Sequence, residues 1–144
     1  MEWTKGQIEG VVIKKLVKHV DERGFLVETF RIDELPEGLR PLMSYVSYTE
    51  PGITRGPHEH KAQTDIFSFI GPGNFMVKLW DNRRDSKTYG NYMKFFAGED
   101  NPLTVVVPSR SRSRLQKRIK DRQRHGLKLP RQTLYGLEQE RRGG

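Results

Sequence analysis

The chain has 144 residues, enough for one domain with its own core, and its net charge of +8 invites a nucleic-acid reading. The charge is uneven: residues 1–108 carry 14 Lys and Arg against 15 Asp and Glu, whereas residues 109–144 carry 12 against 3. The absence of cysteine excludes a disulfide scaffold and any cysteine metal site, and no apolar run approaches the length of a membrane span.

In chain order, the N-terminal MEWTKGQIEG has no apolar core of a signal peptide, so the expectation is a cytoplasmic protein. Gly10 to Val20 is rich in β-branched residues and predicts a strand, with His19 facing solvent or structural. Asp21 to Gly24 is a turn, and Phe25 to Arg31 resumes a strand. Residues 32–40 hold Pro36 and Gly38 and have room for one helical turn. Met43 to Thr49 alternates with period two and ends at Pro51-Gly52. Thr64 to Ile70 and Phe75 to Trp80 predict two strands joined as a hairpin through Gly71-Pro72-Gly73-Asn74. Tyr89 to Phe96 and Leu103 to Val107 predict two more, separated by a turn. Short strands punctuated by Gly and Pro every 8–12 residues predict an all-β antiparallel sandwich or barrel.

The densest chemistry lies between Gly52 and Gly71. His58 and His60 are two residues apart, which puts them on one face if the segment is a strand. With Asp65 they form a candidate site for Zn, Fe, Ni or Mn. Arg55 adds an anion-binding group, and glycines bracket the segment.

The spacing Gly-x5-His-x-His-x4-Asp-x5-Gly resembles the first motif of the cupin superfamily, with Asp65 where a glutamate is usual. Cupins are β jelly rolls, which agrees with the strand pattern. A narrower resemblance covers three segments in order. DERGFLVE at 21–28, RGPHEH at 55–60 and the D-x-R-x2-S-x-T-x-G run from Asp81 to Gly90 resemble motifs of the dTDP-4-dehydrorhamnose 3,5-epimerases. The resemblance implies a nucleotide-sugar epimerase of deoxysugar or polysaccharide biosynthesis. It implies a homodimer with no cofactor and a dTDP-linked 4-keto-6-deoxyhexose as substrate. His58 matches the general base that removes a proton α to the keto group. Arg23 and Arg55 match arginines that grip the pyrophosphate, and Glu28 a carboxylate that holds the nucleotide. Asp81 and Arg83 read as closing a turn. The chain departs from the family at His60, where glutamine is usual, and at Asp65, near which the family has a lysine. A metal-binding cupin using His58, His60 and Asp65, or a catalytically inactive homologue, therefore stays open beside the epimerase reading.

After Pro108 the character changes. SRSRSRLQKRIKDRQRHGLKLPRQ shows no apolar strand pattern, and residues 109–144, with Tyr135 their single aromatic, lack a stacking platform for nucleic acid. Ser109 to Lys117 can be encoded so that a shift of one base yields Pro-Gly-Val-Val-His-Gly-Tyr-Lys-Asn. Preceded by Pro108, that string resembles the second cupin motif. The expectation is a cupin domain over residues 1–108. Residues 109–144 are then a frameshifted basic tail that packs poorly, with the C-terminal strands of the jelly roll lost or disrupted.

Overall fold

The computed structural model describes residues 2–117 and 132–140. Among them, the strands are β1 (Thr4–Lys5), β2 (Val12–Lys15), β3 (Lys18–Asp21), β4 (Gly24–Val27), β5 (Met43–Thr49) and β6 (Thr54–Glu59). They continue as β7 (Gln63–Gly71), β8 (Asn74–Asp81), β9 (Asn91–Gly98), β10 (Leu103–Val107), β11 (Ser111–Lys117) and β12 (Gln132–Glu140). One five-stranded sheet runs β1-β9-β8-β11-β6 and the other β2-β10-β7-β12-β5, while β3 and β4 pair only with each other.

Alternation explains the layers. Along β8, Phe75, Val77, Leu79 and Asp81 are buried and the intervening residues are half-buried, the pattern of a strand with one face on a core. Strands β7 and β10 are buried on both faces. Phe67 and Phe69 of β7 join Leu103, Val105 and Val107 of β10, Ala97 of β9 and the β8 row in the core between the sheets. Ile66 and Val106 point the other way, under Phe30, Leu35 and Leu39. A lid of irregular chain therefore covers the outer face of those two strands, and a continuous apolar run such as LTVVV is the form such a strand takes.

The predicted β7–β8 hairpin is not formed. The two strands lie in different sheets, so Gly71 to Asn74 is a corner between layers. The corner is held from outside, with Glu99 N donating to Gly73 O at 2.9 Å. Gly98 makes room for it: at φ +145° a Cβ there would lie 2.3 Å from Gly73 O. The strand expected over 10–20 is also divided. Its first half joins β10 at a sheet edge and its second half folds back in the β3–β4 hairpin. The helical turn expected over 32–40 is a short 3-10 turn at Ile32–Glu34.

Within the stretch that shows no apolar strand pattern, the structure places β11 between β8 and β6; β12, which starts at the end of that stretch, lies between β7 and β5. In β11 the alternation is serine against arginine, and Ser111 and Ser113 are the buried positions, opposite Asp81 and Leu79 of β8. A strand whose inward residues are serines escapes a search for alternating apolar residues. Residues 118–131 and 141–144 of the expected tail lie outside the described residues.

Register gives the interior two unlike ends. At the corner end Phe69 and Phe75 meet edge to face, ring centroids 5.5 Å apart. At the other end the same inward rows finish in Asp65 on β7 and Asp81 on β8, with Ser111 and Ser113 beside them on β11.

Candidate active site

His58 belongs to the polar end. It lies on β6 directly opposite Ser113, which is itself opposite buried Leu79, so the pairing puts all three on the inward face. Edge strand β6 tolerates Pro57, whose missing N–H would interrupt a central strand. Gly56 is needed beside it. At φ +92° a Cβ there would lie 2.8 Å from Ser113 O and 3.2 Å from His58 Cδ2, so the ring occupies the space a side chain would fill. The R-G-x-H order thus has a steric reason: glycine two residues before the histidine lets the imidazole fold back along the strand.

Arg55 crosses between sheets. Its Nε donates to Thr49 Oγ1 at 2.6 Å and its NH2 donates to Tyr48 O, both on β5 of the opposite sheet. Two of its five donors are thereby used. Thr49, Tyr48 and the tie they make were not legible as site features, because the contact joins two edge strands.

His60 follows the end of β6 and faces Asp65, with Nε2 3.7 Å from Oδ2. Gln63 Nε2 donates to the other carboxylate oxygen of Asp65 at 2.8 Å. Gln63 is two residues from Asp65 on one strand and so shares its face, a signal available in the sequence. Among the described residues no three His, Asp or Glu side chains gather as metal ligands, so His58 does not complete a cluster with the His60–Asp65 pair. The strand geometry that would align both histidines ends at Glu59, one residue short of His60.

Arg23 and Glu28 stand on and after the β3–β4 hairpin, which joins neither large sheet. Arg23 donates through NH2 to Asp21 Oδ2 at 2.5 Å, and Glu28 lies 3.9 Å from Arg31 NH1. The Asp21 carboxyl is lowered below its usual range by the Arg23 side chain and amide, though both groups are exposed. The structure therefore brings His58, Arg55, His60 and Asp65 to the β5–β6–β7 region and leaves Arg23 and Glu28 on the hairpin.

Asp81 closes its own turn. Its carboxylate accepts from Arg83 Nε at 2.8 Å, from the Arg83 amide at 3.1 Å, and from the hydroxyls of Ser86 and Thr88, each at 2.6 Å. Arg83 NH2 donates onward to Glu9 O, and Thr88 Oγ1 accepts from Glu9 N at 2.8 Å. The D-x-R-x2-S-x-T run is thus a latch that fastens the N-terminal segment. Burial pushes the Asp81 carboxyl up, but the Arg83 side chain, the two hydroxyls and the Arg83 amide outweigh it and hold the group at about 2.

Two packed, largely antiparallel sheets with polar side chains at one end define a cupin-type jelly roll. The family model for dTDP-4-dehydrorhamnose 3,5-epimerase matches residues 5–112, and the chain belongs to that family. The spore coat polysaccharide biosynthesis protein SpsL of Bacillus subtilis is 42% identical over 102 residues, 70% of this chain and 66% of that protein. A probable low-salt glycan biosynthesis epimerase of Haloferax volcanii is 38% identical over 102 residues, 70% of this chain and 65% of its own. The chain thus spans just under two thirds of the length of these relatives. A dTDP sugar isomerase from Desulfovibrio desulfuricans shares the fold at a TM-score of 0.76 and 20% identity, over 94% of this chain and 82% of that one. A dTDP-4-dehydrorhamnose 3,5-epimerase from Bacillus anthracis, with TDP and pyrophosphate bound, does so at 0.73 and 20%, over 95% and 79%.

Proposed function

We propose that the chain is a nucleotide-sugar 3,5-epimerase that acts on a dTDP-linked 4-keto-6-deoxyhexose in deoxysugar or polysaccharide biosynthesis. The observation that carries this reading is the Arg55-Gly56-x-His58 segment, inside the family match, with His58 on the inward face at the polar end of the sandwich. A proton on carbon next to the 4-keto group is acidified by the carbonyl. His58 takes it as general base, and the C–H electron pair moves toward the carbonyl to form an enolate. Return of a proton to the opposite face inverts the carbon and restores the ketone. The sequence moves protons only and needs no redox cofactor. Arg55 and Arg23 hold the pyrophosphate and Glu28 the nucleotide, roles suited to a fork of donors and to an acceptor carboxylate. The enzyme works in the cytoplasm.

Calorimetric titration with dTDP tests the reading. Saturable binding is expected, weakened about tenfold in Arg55→Ala by loss of roughly 1.4 kcal/mol. No binding at about 1 mM dTDP, a free energy near −4 kcal/mol, overturns it.

The proposal extends to a homodimer. Edge strand β5 exposes Met43, Val46 and Tyr48, and the hairpin exposes Val20, Phe25 and Leu26, more apolar side chains than an isolated surface accounts for. Light scattering on the eluting protein is expected to give twice the chain mass of 16.8 kDa. A single-chain mass at micromolar concentration removes the dimer.

A further inference from the structure

We propose that a cavity on the outer face of β7 and β10 binds a neutral hydroxylated ring, a hexose unit, at a carbohydrate site separate from His58.

The cavity has a volume of about 540 Å³, within the range of small-molecule sites. Thr64 of β7 and Val106 of β10 form its floor. Val106 and Ile66 point away from the core between the sheets, and Thr64, two residues before Ile66, shares that face. Among the described residues neither His58 nor Asp65 lines the space. Pro36 and Leu39 of the irregular lid close one side, and Gly10, Arg83 and Pro108 the other.

Three polar groups around this space lack partners. Arg83 spends Nε and Nη2 on Asp81, Ser86 and Glu9 O, whereas Nη1 donates to no described residue. The Thr64 hydroxyl and the Glu37 carboxylate at the rim likewise bond to no described residue. Gly10 keeps Nη1 open. A Cβ there would lie 3.3 Å from Pro108 Cγ and 3.7 Å from Nη1, and so would fill the space beside that nitrogen.

The balance of charge selects the ligand. The Arg83 guanidinium already faces an ionised carboxylate, that of Asp81. Its unused N–H groups therefore offer hydrogen bonds without a net positive charge, and Glu37 adds a negative one. Phosphates and carboxylates are disfavoured by that sum. A ring whose hydroxyls both donate and accept fits it, with donors at Nη1, an acceptor at Glu37 and either at Thr64. The C–H faces of such a ring find apolar walls in Pro36, Leu39, Val106 and Pro108.

Amide NMR on the labelled full chain tests this, with the methyl glycoside of a 6-deoxyhexose as probe and a disaccharide of the same sugar beside it. Saturable shifts are expected at Gly10, Gly38, Thr64 and Val106, with a Kd on the order of 1 mM. Thr64→Val and Glu37→Gln are each expected to weaken binding about fivefold, with melting curves unchanged. Arg83 is left intact because it also fastens Asp81. Affinity about tenfold higher for the disaccharide supports the site and assigns it to the end of a saccharide chain; equal affinity supports it as a site for a single ring. No saturable shift at those amides, or full affinity in both variants, overturns the inference. So do stronger shifts from inorganic phosphate or acetate, which would make the site an anion site. The cavity faces away from His58, so dTDP binding is expected to be unchanged in both variants, and either result leaves the epimerase reading to its own test.

Discussion

Replacing His58 by alanine is expected to lower turnover of a dTDP-linked 4-keto sugar by about 100- to 10,000-fold and to leave dTDP affinity nearly unchanged. The magnitude is that of a positioned general base. The split between turnover and binding follows from the geometry. His58 is exposed on an edge strand and shares no hydrogen bond with Arg55, whose side chain is tied to Thr49 and Tyr48 instead. Removing the imidazole empties the space over Gly56 without loosening that tie, so the loss is expected in kcat. Steady-state kinetics beside a dTDP titration check this. A variant that keeps wild-type turnover would show that proton abstraction does not depend on His58.

Asp81→Ala is expected to destabilise the fold by about 3–5 kcal/mol, a large part of a typical domain's stability. The carboxylate is fully buried, and the Arg83 side chain is only 14% exposed. Deleting one partner strands a guanidinium and two hydroxyls with their acceptor gone. It also releases Glu9, which Arg83 and Thr88 hold, and so loosens the N-terminal segment. The same group sets an acid limit. Its carboxyl lies near 2 rather than the ordinary 3.8, so the stabilisation is complete above about pH 4 and fades as pH falls toward 2. Its size is about 2 kcal/mol. Denaturant melts across that range measure both effects. The wild type is expected to lose stability on acidification, and Asp81→Asn to show a flatter profile. An unchanged midpoint in Asp81→Ala would mean the latch carries no load.

Much of the fold was legible because local chemistry and final burial agree. The alternation of β8 and the continuous apolar run of β10 say directly which faces meet the core. The corner at Gly71–Asn74 was not legible. Two residues between strands look the same whether the chain turns back in one sheet or crosses to another, and that choice is made by distant partners, β9 and β11 for β8, β10 and β12 for β7. Strand β11 was hidden for a different reason, since its inward positions are serines at the polar end. In the site, His58 and Arg55 were marked by their motif. His60 and Asp65 were recognised as a pair of potential ligands, but their geometry is that of an imidazole facing a carboxylate. The tie from Arg55 to β5 joins residues from the edges of two sheets and leaves no local trace beyond the threonine that ends MSYVSYT.

The two unlike ends of the interior make the sandwich an asymmetric electrostatic medium. Aromatic rings fill one end and exclude water, while carboxylates, hydroxyls and imidazoles gather at the other. A carbonyl bound there would have polarisable solvent on one side only. Field lines from the histidines and from Asp65 would run through the dry wall with little screening, so a charge forming on oxygen would feel them more strongly than in water. Phe67, Phe69 and Phe75 are the rings that make up that wall.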